Sequence, residues 1–233
     1  MIHFIARQEL FKIKFVRRFL YSTQQSNFQA FLENCTDEAE KLELQRAIAP
    51  RFDALNHGKL LSTENSFHEH ILQIDAANVN GLIRKLAAEI TSLIARLKTP
   101  QVFFFTAQKC SWFEQTNSYK SVRRITQDLF QITGDMNYSE AFQVDLNSLE
   151  RFLKIAFWIG RCNASMPPIY FHPQHEPLIF QICQYGNVHL WSGKMKKRVE
   201  LNYFLRDTRF CPISHETERF SANGQIAGRK MIV

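Results

Sequence analysis

One stretch limits the possible folds more than any other. Apolar residues recur at Leu72, Ala76, Val79, Ile83, Leu86, Ile90, Leu93 and Leu97, in alternating steps of four and three. That spacing is a heptad seam and predicts a long amphipathic helix over 72–97. Unbroken, it would run about 39 Å at 1.5 Å per residue. Gly81 is its weak point, because an interior glycine costs about 1 kcal/mol relative to alanine. Asn78 or Asn80 could cap a later start, and Thr99-Pro100 ends the segment. Leu82 and Ile94 widen the stripe beyond a two-position seam, as in the core helix of a bundle. The competing reading is an interface. Leu72, Val79, Ile83, Leu86, Ile90, Leu93 and Leu97 would then meet a protein partner or a second copy.

The chain before this helix also reads as mainly helical. "TDEAEKLELQRAIAP" offers Thr36 as an N-cap, acids in the first turn and Pro50 as a stop. "LFKIKFV" near the N-terminus alternates apolar and basic residues, as a half-buried strand does. After Pro100 the character changes. "QVFFFTA" is a continuous apolar run of strand length. "SYKSVRRITQDLFQITG" has helical spacing and closes at Gly134, and "AFQVD" alternates like a strand. The segment 147–161 predicts a helix, with Asn147 and Glu150 spaced as a capping box. "PPIYF" reads as a strand. "LIFQICQ" and "VHLW" read as a hairpin turning at Gly186-Asn187, and "ELNYFLR" as one more strand. The fold class is therefore α+β: a mainly helical region 1–99 with the long helix, then a mixed α/β region 100–233 with the hairpin. One continuous domain is the alternative. The 21 phenylalanines point to an aromatic core.

Five scattered cysteines, odd in number, argue against a disulfide framework and for a reducing compartment, so a cytoplasmic location is expected. No apolar run reaches the roughly 18 residues of a membrane span. The net charge of +7 is unevenly spread. Residues 1–20 and 192–233 are basic, whereas 21–80 hold four basic and nine acidic residues. Basic ends attract polyanions, or they face the acidic segment of the same chain.

The segment 169–191 carries His172, His175, Cys183 and His189. With a two-residue turn at Gly186-Asn187, Gln184 opposes His189, and Cys183 lies on the other face. Those two then cannot share a metal, although a one-residue slip would reverse the conclusion. Short paired ligand motifs for zinc are missing. A looser set, His172, His175, Cys211 and His215, could converge only through tertiary folding. Arg51 and His57 have a spacing that resembles the Arg-x5-His of helical RNA-cleaving domains of the HEPN type. There the arginine would steady charge and the histidine handle a proton. Pro50 and Gly58 interrupt the long helix such a pair needs. Nucleophile-elbow, Walker-type and dinucleotide-binding motifs are also missing.

The remaining signal is aromatic and basic. Lys109, Trp112, Tyr119, Lys120, Arg123 and Arg124 interleave rings with cations, and Lys194, Lys196, Lys197 and Arg198 form a second cluster after the hairpin. Rings can stack on unpaired bases while cations hold phosphates. The leading expectation is a non-enzymatic subunit of a larger complex acting on nucleic acid, with no cofactor. It would bind a protein partner through the 72–97 helix and phosphate through the basic clusters. The alternatives are a nuclease or metal-dependent hydrolase built on Arg51/His57 or the histidine–cysteine set, and a protein-interaction module without nucleic acid.

Overall fold

Adjacent phenylalanines on one strand serve two separate cores. In β3 (Gln101–Thr106), Val102 and Phe104 point into one core and Phe103 and Phe105 into the other. Alternate residues of a strand face opposite sides, so a strand covered on both faces reads as an unbroken apolar run. The structure is a computed structural model that describes residues 1–33, 35–57, 67–76, 78–114, 119–162, 166–193 and 205–215.

The described strands are β1 (Ile2–Ile5), β2 (His68–Gln73), β3, β4 (Ala141–Asp145), β5 (Ile169–Pro173), β6 (Leu178–Ile182), β7 (Val188–Ser192) and β8 (Cys211–Ile213). They form one sheet in the order β1-β4-β3-β5-β6-β7-β2-β8. Every neighbouring pair is antiparallel. Helices α4 (Val79–Arg96), α5 (Lys120–Thr133) and α6 (Leu146–Cys162) cover one face, with α6 between the other two. Helices α1 (Arg7–Leu10) and α2 (Lys14–Glu33) cover part of the other face, together with the 3-10 turn Asp53–His57. Helix α3 (Glu38–Ile48) lies outside both cores and buries no residue.

The fold is thus mixed α+β, built on a large antiparallel sheet. The expected boundary near residue 99 falls between α4 and β3, and the sheet takes strands from both sides of it. Two of those strands, β1 and β2, interrupt the region read as mainly helical. "LFKIKFV" is not a strand; it spans the corner between α1 and α2, where Leu10, Phe11 and Val16 enter the second core.

Local chemistry sets the helix ends. Asn78 caps α4, its Oδ1 accepting the Gly81 N–H at 2.8 Å. A Cβ on Gly81 would sit 3.3 Å from that same oxygen, so glycine gives the cap its room. The helix therefore starts at Val79, has 18 residues and runs about 27 Å. Leu72 and Ala76 precede it, and Leu72 lies on β2. Helix α5 closes at Gly134, whose φ of 65° is the left-handed conformation glycine adopts without strain. Helix α6 is capped by Asp145, which accepts the Ser148 N–H at 2.8 Å, rather than by Asn147. Asp37, not Thr36, caps α3.

The hairpin register also differs from expectation. Ile182 opposes Val188 and Gln181 opposes His189. Residues 183–187 form a five-residue connection in which Cys183 N–H bonds Asn187 O and Gly186 takes a φ of 78°. The register has moved by three residues, and an odd shift exchanges faces. His189 therefore shares a face with Gln181 and Trp191, and Cys183 lies in the connection after β6 instead of on the opposite face of a strand.

A buried polar network joins the α1–α2 layer to the end of the sheet. Arg7 is 1% exposed. Its Nε and Nη2 donate to the two oxygens of Asp53 at 2.8 and 3.0 Å. Its Nη1 donates to the carbonyl of Thr106 at 2.9 Å. Gln24 donates to Asp53 and to the Ala107 carbonyl, and accepts the Ala54 N–H. Burial alone would raise the Asp53 carboxyl, but the hydrogen bonds and charge of Arg7, helped by Gln24 and Lys109, hold it below the usual carboxylate range. Removing one partner of such a pair leaves the other charge buried and unmet. Arg7→Ala is expected to lower unfolding free energy by about 3–5 kcal/mol in urea denaturation. A carboxyl with a depressed folded pKa binds fewer protons folded than unfolded. Its contribution is complete above about pH 4 and is lost as pH falls below that. Asp53→Asn should therefore flatten part of the acid-side loss of stability.

Candidate functional site

Residues of α4, α5 and α6 line a cleft of about 440 Å³. Helical spacing brings Asn80, Ile83 and Arg84 to it from α4, and Ser121, Arg124, Ile125 and Asp128 from α5. Lys154 and Trp158, four residues apart, reach it from α6. Ile83 is buried in the core, and the partly buried Ile125 and Trp158 pack against that core. The cleft thus has an apolar floor and a polar, mainly cationic rim. Its volume falls within the roughly 300–1,000 Å³ of small-ligand sites.

The charges around it are unevenly satisfied. Arg51 pairs with Glu114, Lys109 with Glu140 and Lys154 with Glu150, at 2.7–3.3 Å. Arg84, Lys120, Arg123 and Arg124 are exposed, and none forms an ion pair among the described residues. Two of these four line the cleft, and the other two lie on the first turns of the same α5. These cations outnumber the acids beside them, Asp128 at the cleft and Glu150 on Lys154, and so raise the potential over this face and attract an anion.

The residues expected to bind nucleic acid divide into three groups. Lys120, Arg123 and Arg124 are exposed on α5, and Tyr119 immediately precedes that helix. Trp112 is fully buried, edge-on to Phe142, with its indole N–H donating to the Glu140 carbonyl at 2.8 Å. It is core and offers no face to a base. Lys109 is tied to Glu140. Lys194, Lys196, Lys197 and Arg198 lie outside the described residues, as does most of the strand expected at 200–206.

The residues expected to meet a partner are mostly interior. Leu72, Val79, Ile83, Leu86, Ile90 and Leu93 are buried in the larger core, and Leu97 packs partly buried against it. The width of the stripe, with Leu82 and Ile94 also buried, is the signal that separates this arrangement from a two-helix seam.

The expected histidine–cysteine set does not assemble among the described residues. His172 lies on β5 and Cys211 on β8, four strand spacings apart, about 19 Å. His172 is sealed between the Phe103 and Phe15 rings, and its Nδ1–H donates to the Leu178 carbonyl at 2.8 Å. Burial pushes its pKa down to about 4, despite that hydrogen bond. His175 sits exposed on the β5–β6 turn with a φ of 71°. Arg51 is held by Glu114, and His57 stacks on Phe11 at 4.4 Å. The Cys110 thiol is raised to about 11, chiefly by burial, so it supplies no thiolate at neutral pH. No group of three or more potential metal ligands assembles among the described residues.

Two arrangements were not anticipated. One is the contribution of Arg84, Lys154 and Trp158 to the cleft. The only signal was that each borders an apolar helical stripe. The other is Glu69, from "HEH" at 68–70. One of its oxygens meets His189 Nδ1 at 2.7 Å and the other His215 Nε2 at 3.3 Å. The contact to His189 is a diagonal cross-strand pair that ties β2 to β7.

No family model, curated protein or solved structure matches this chain. No described helix is long and apolar enough to cross a membrane.

The setting of His172 has a direct spectroscopic consequence. Its imidazole is expected to stay neutral from pH 8 down to about pH 5 in an NMR titration. Between about 6.5 and about 4 the unfolded chain binds this proton and the folded chain does not, so His172 makes stability fall as pH drops through that window.

Proposed function

We propose that this protein is a non-enzymatic subunit of a larger assembly acting on nucleic acid, and that α5 and the cleft beside it hold phosphates. The observation carrying this is the group of exposed cations without ion-pair partners, Arg84, Lys120, Arg123 and Arg124. Most of the other cations described above already have acidic partners in the chain. Phosphate neutralises such a group and releases the counterions condensed on the nucleic acid. Arginine suits the role because its planar fork meets two phosphate oxygens at once.

A protein partner or a second copy belongs to the same proposal. Its contact is not the α4 stripe, because those side chains fill the core of this chain. Arg51, His57 and His172 are taken up by other groups, Glu114, the Phe11 ring and the Leu178 carbonyl, which favours the binding role.

Fluorescence anisotropy with labelled DNA and RNA, single- and double-stranded, over a series of salt concentrations tests this. Binding is expected to weaken steeply with salt. The double variant Arg84→Ala/Arg124→Ala should weaken binding and reduce the salt slope by about two, roughly one for each arginine withdrawn from a phosphate. Absence of binding to all four ligands at low salt would overturn the proposal.

A further inference from the structure

The cleft holds more than cations, and its mixed lining selects within nucleic acids. We infer that it seats one unpaired nucleotide, its base against Trp158 and its phosphate between Arg84 and Arg124, with guanine the best-fitting base. The inference rests on the nucleic-acid binding proposed above.

Three features carry it. The first is the floor. Trp158 is partly exposed in a cleft of about 440 Å³ and is flanked by Ile83 and Ile125. An apolar, ring-bearing floor adds nothing to holding a phosphate backbone, but it matches the face of a base. Bases within a duplex are covered by their neighbours, so only an unpaired or splayed base can reach such a ring.

The second is the arrangement of charge. Arg84 and Arg124 come from different helices, and neither has an ion-pair partner among the described residues. A phosphate between them would accept from both forks. Lys154 reaches the same cleft while paired with Glu150, so it adds less.

The third is Asp128, one turn beyond Arg124 on α5 and also at the cleft. A carboxylate only accepts hydrogen bonds, and it repels phosphate. It therefore suits the other end of the ligand, where a base presents N–H groups. Guanine places two such donors side by side on its Watson–Crick edge, whereas uracil has one. A bidentate acceptor favours the former.

The test uses the full chain and anisotropy with short labelled single strands, either guanine-rich or uracil-rich, and a blunt duplex. Guanosine monophosphate, uridine monophosphate and inorganic phosphate serve as competitors. The guanine-rich strand is expected to bind most tightly. Guanosine monophosphate should displace it at lower concentration than uridine monophosphate, and phosphate should be weakest. Trp158→Leu should weaken single-strand binding by about tenfold and leave the duplex unchanged. Asp128→Asn should reduce the preference for guanine without reducing the salt slope. The competition series uses the unaltered protein, so it decides the matter even where a Trp158 variant folds poorly. Equal binding of single strand and duplex, with no displacement by either nucleotide, would overturn the inference and leave the phosphate-contacting surface standing. No binding to any strand would remove both.

Discussion

A guanidinium inside a protein has to be met by hydrogen-bond acceptors, and that of Arg7 is. Asp53 meets it on one edge and the end of β3 on another. The partners come from widely separated parts of the chain: the α1 helix, the turn after α3 and the third strand. Apolar packing in the second core is non-directional and would tolerate α1 and α2 at several angles over the sheet. The Arg7–Asp53 pair does not, because each donor nitrogen meets its acceptors, on Asp53 or Thr106, at one place. Gln24 extends the same constraint to the middle of α2 by bonding both Asp53 and the Ala107 carbonyl. The polar network thus fixes the angle, while the phenylalanines supply most of the burial.

With that layer pinned on one face, the other face carries the helices that form the cleft. Helix α6 packs between α4 and α5 and buries residues on several sides, including Phe152, Ile155 and Ile159. The cations of the rim therefore stand on three helices anchored to one core. A site on packed helices is held more rigidly than one on loops. The same packing explains why the apolar stripe of α4 is not an interface: its whole width is buried in the core that α4 shares with α6.

Much of this was legible in the sequence where a periodicity had one dominant cause. The stripe of α4 from Val79 onward, the spacing of Val122, Ile125, Leu129 and Ile132 in α5 and the run Phe103–Phe105 each recorded burial and became the expected element, whereas Leu72, the first residue of the stripe, belongs to β2. The two edge strands and β2 were hidden. β1 has four residues and β8 has three, too short for any pattern, and "HEHILQ" of β2 changes from polar to apolar midway instead of alternating. The hairpin was recognisable, but its register was not, because a loop of five residues with glycine fourth reads like a tight turn. For the site, Arg123 and Arg124 were visible as adjacent charges. Arg84, Lys154 and Trp158 were not, since only the tertiary packing of three helices brings them together. Trp112 misled for the opposite reason: its cationic neighbours in sequence lie at the surface, while its own ring is core.

The role of this face depends on whether an unpaired nucleotide enters the cleft. Photo-crosslinking of a guanine-rich single strand to the intact protein, followed by peptide mapping, addresses that most directly. Cross-links are expected to map to α5 and to the stretch of α6 around Trp158, with fewer in the first turns of α4. Cross-links confined to α2, α3 or the β8 edge of the sheet, with none on α5 or α6, would contradict it.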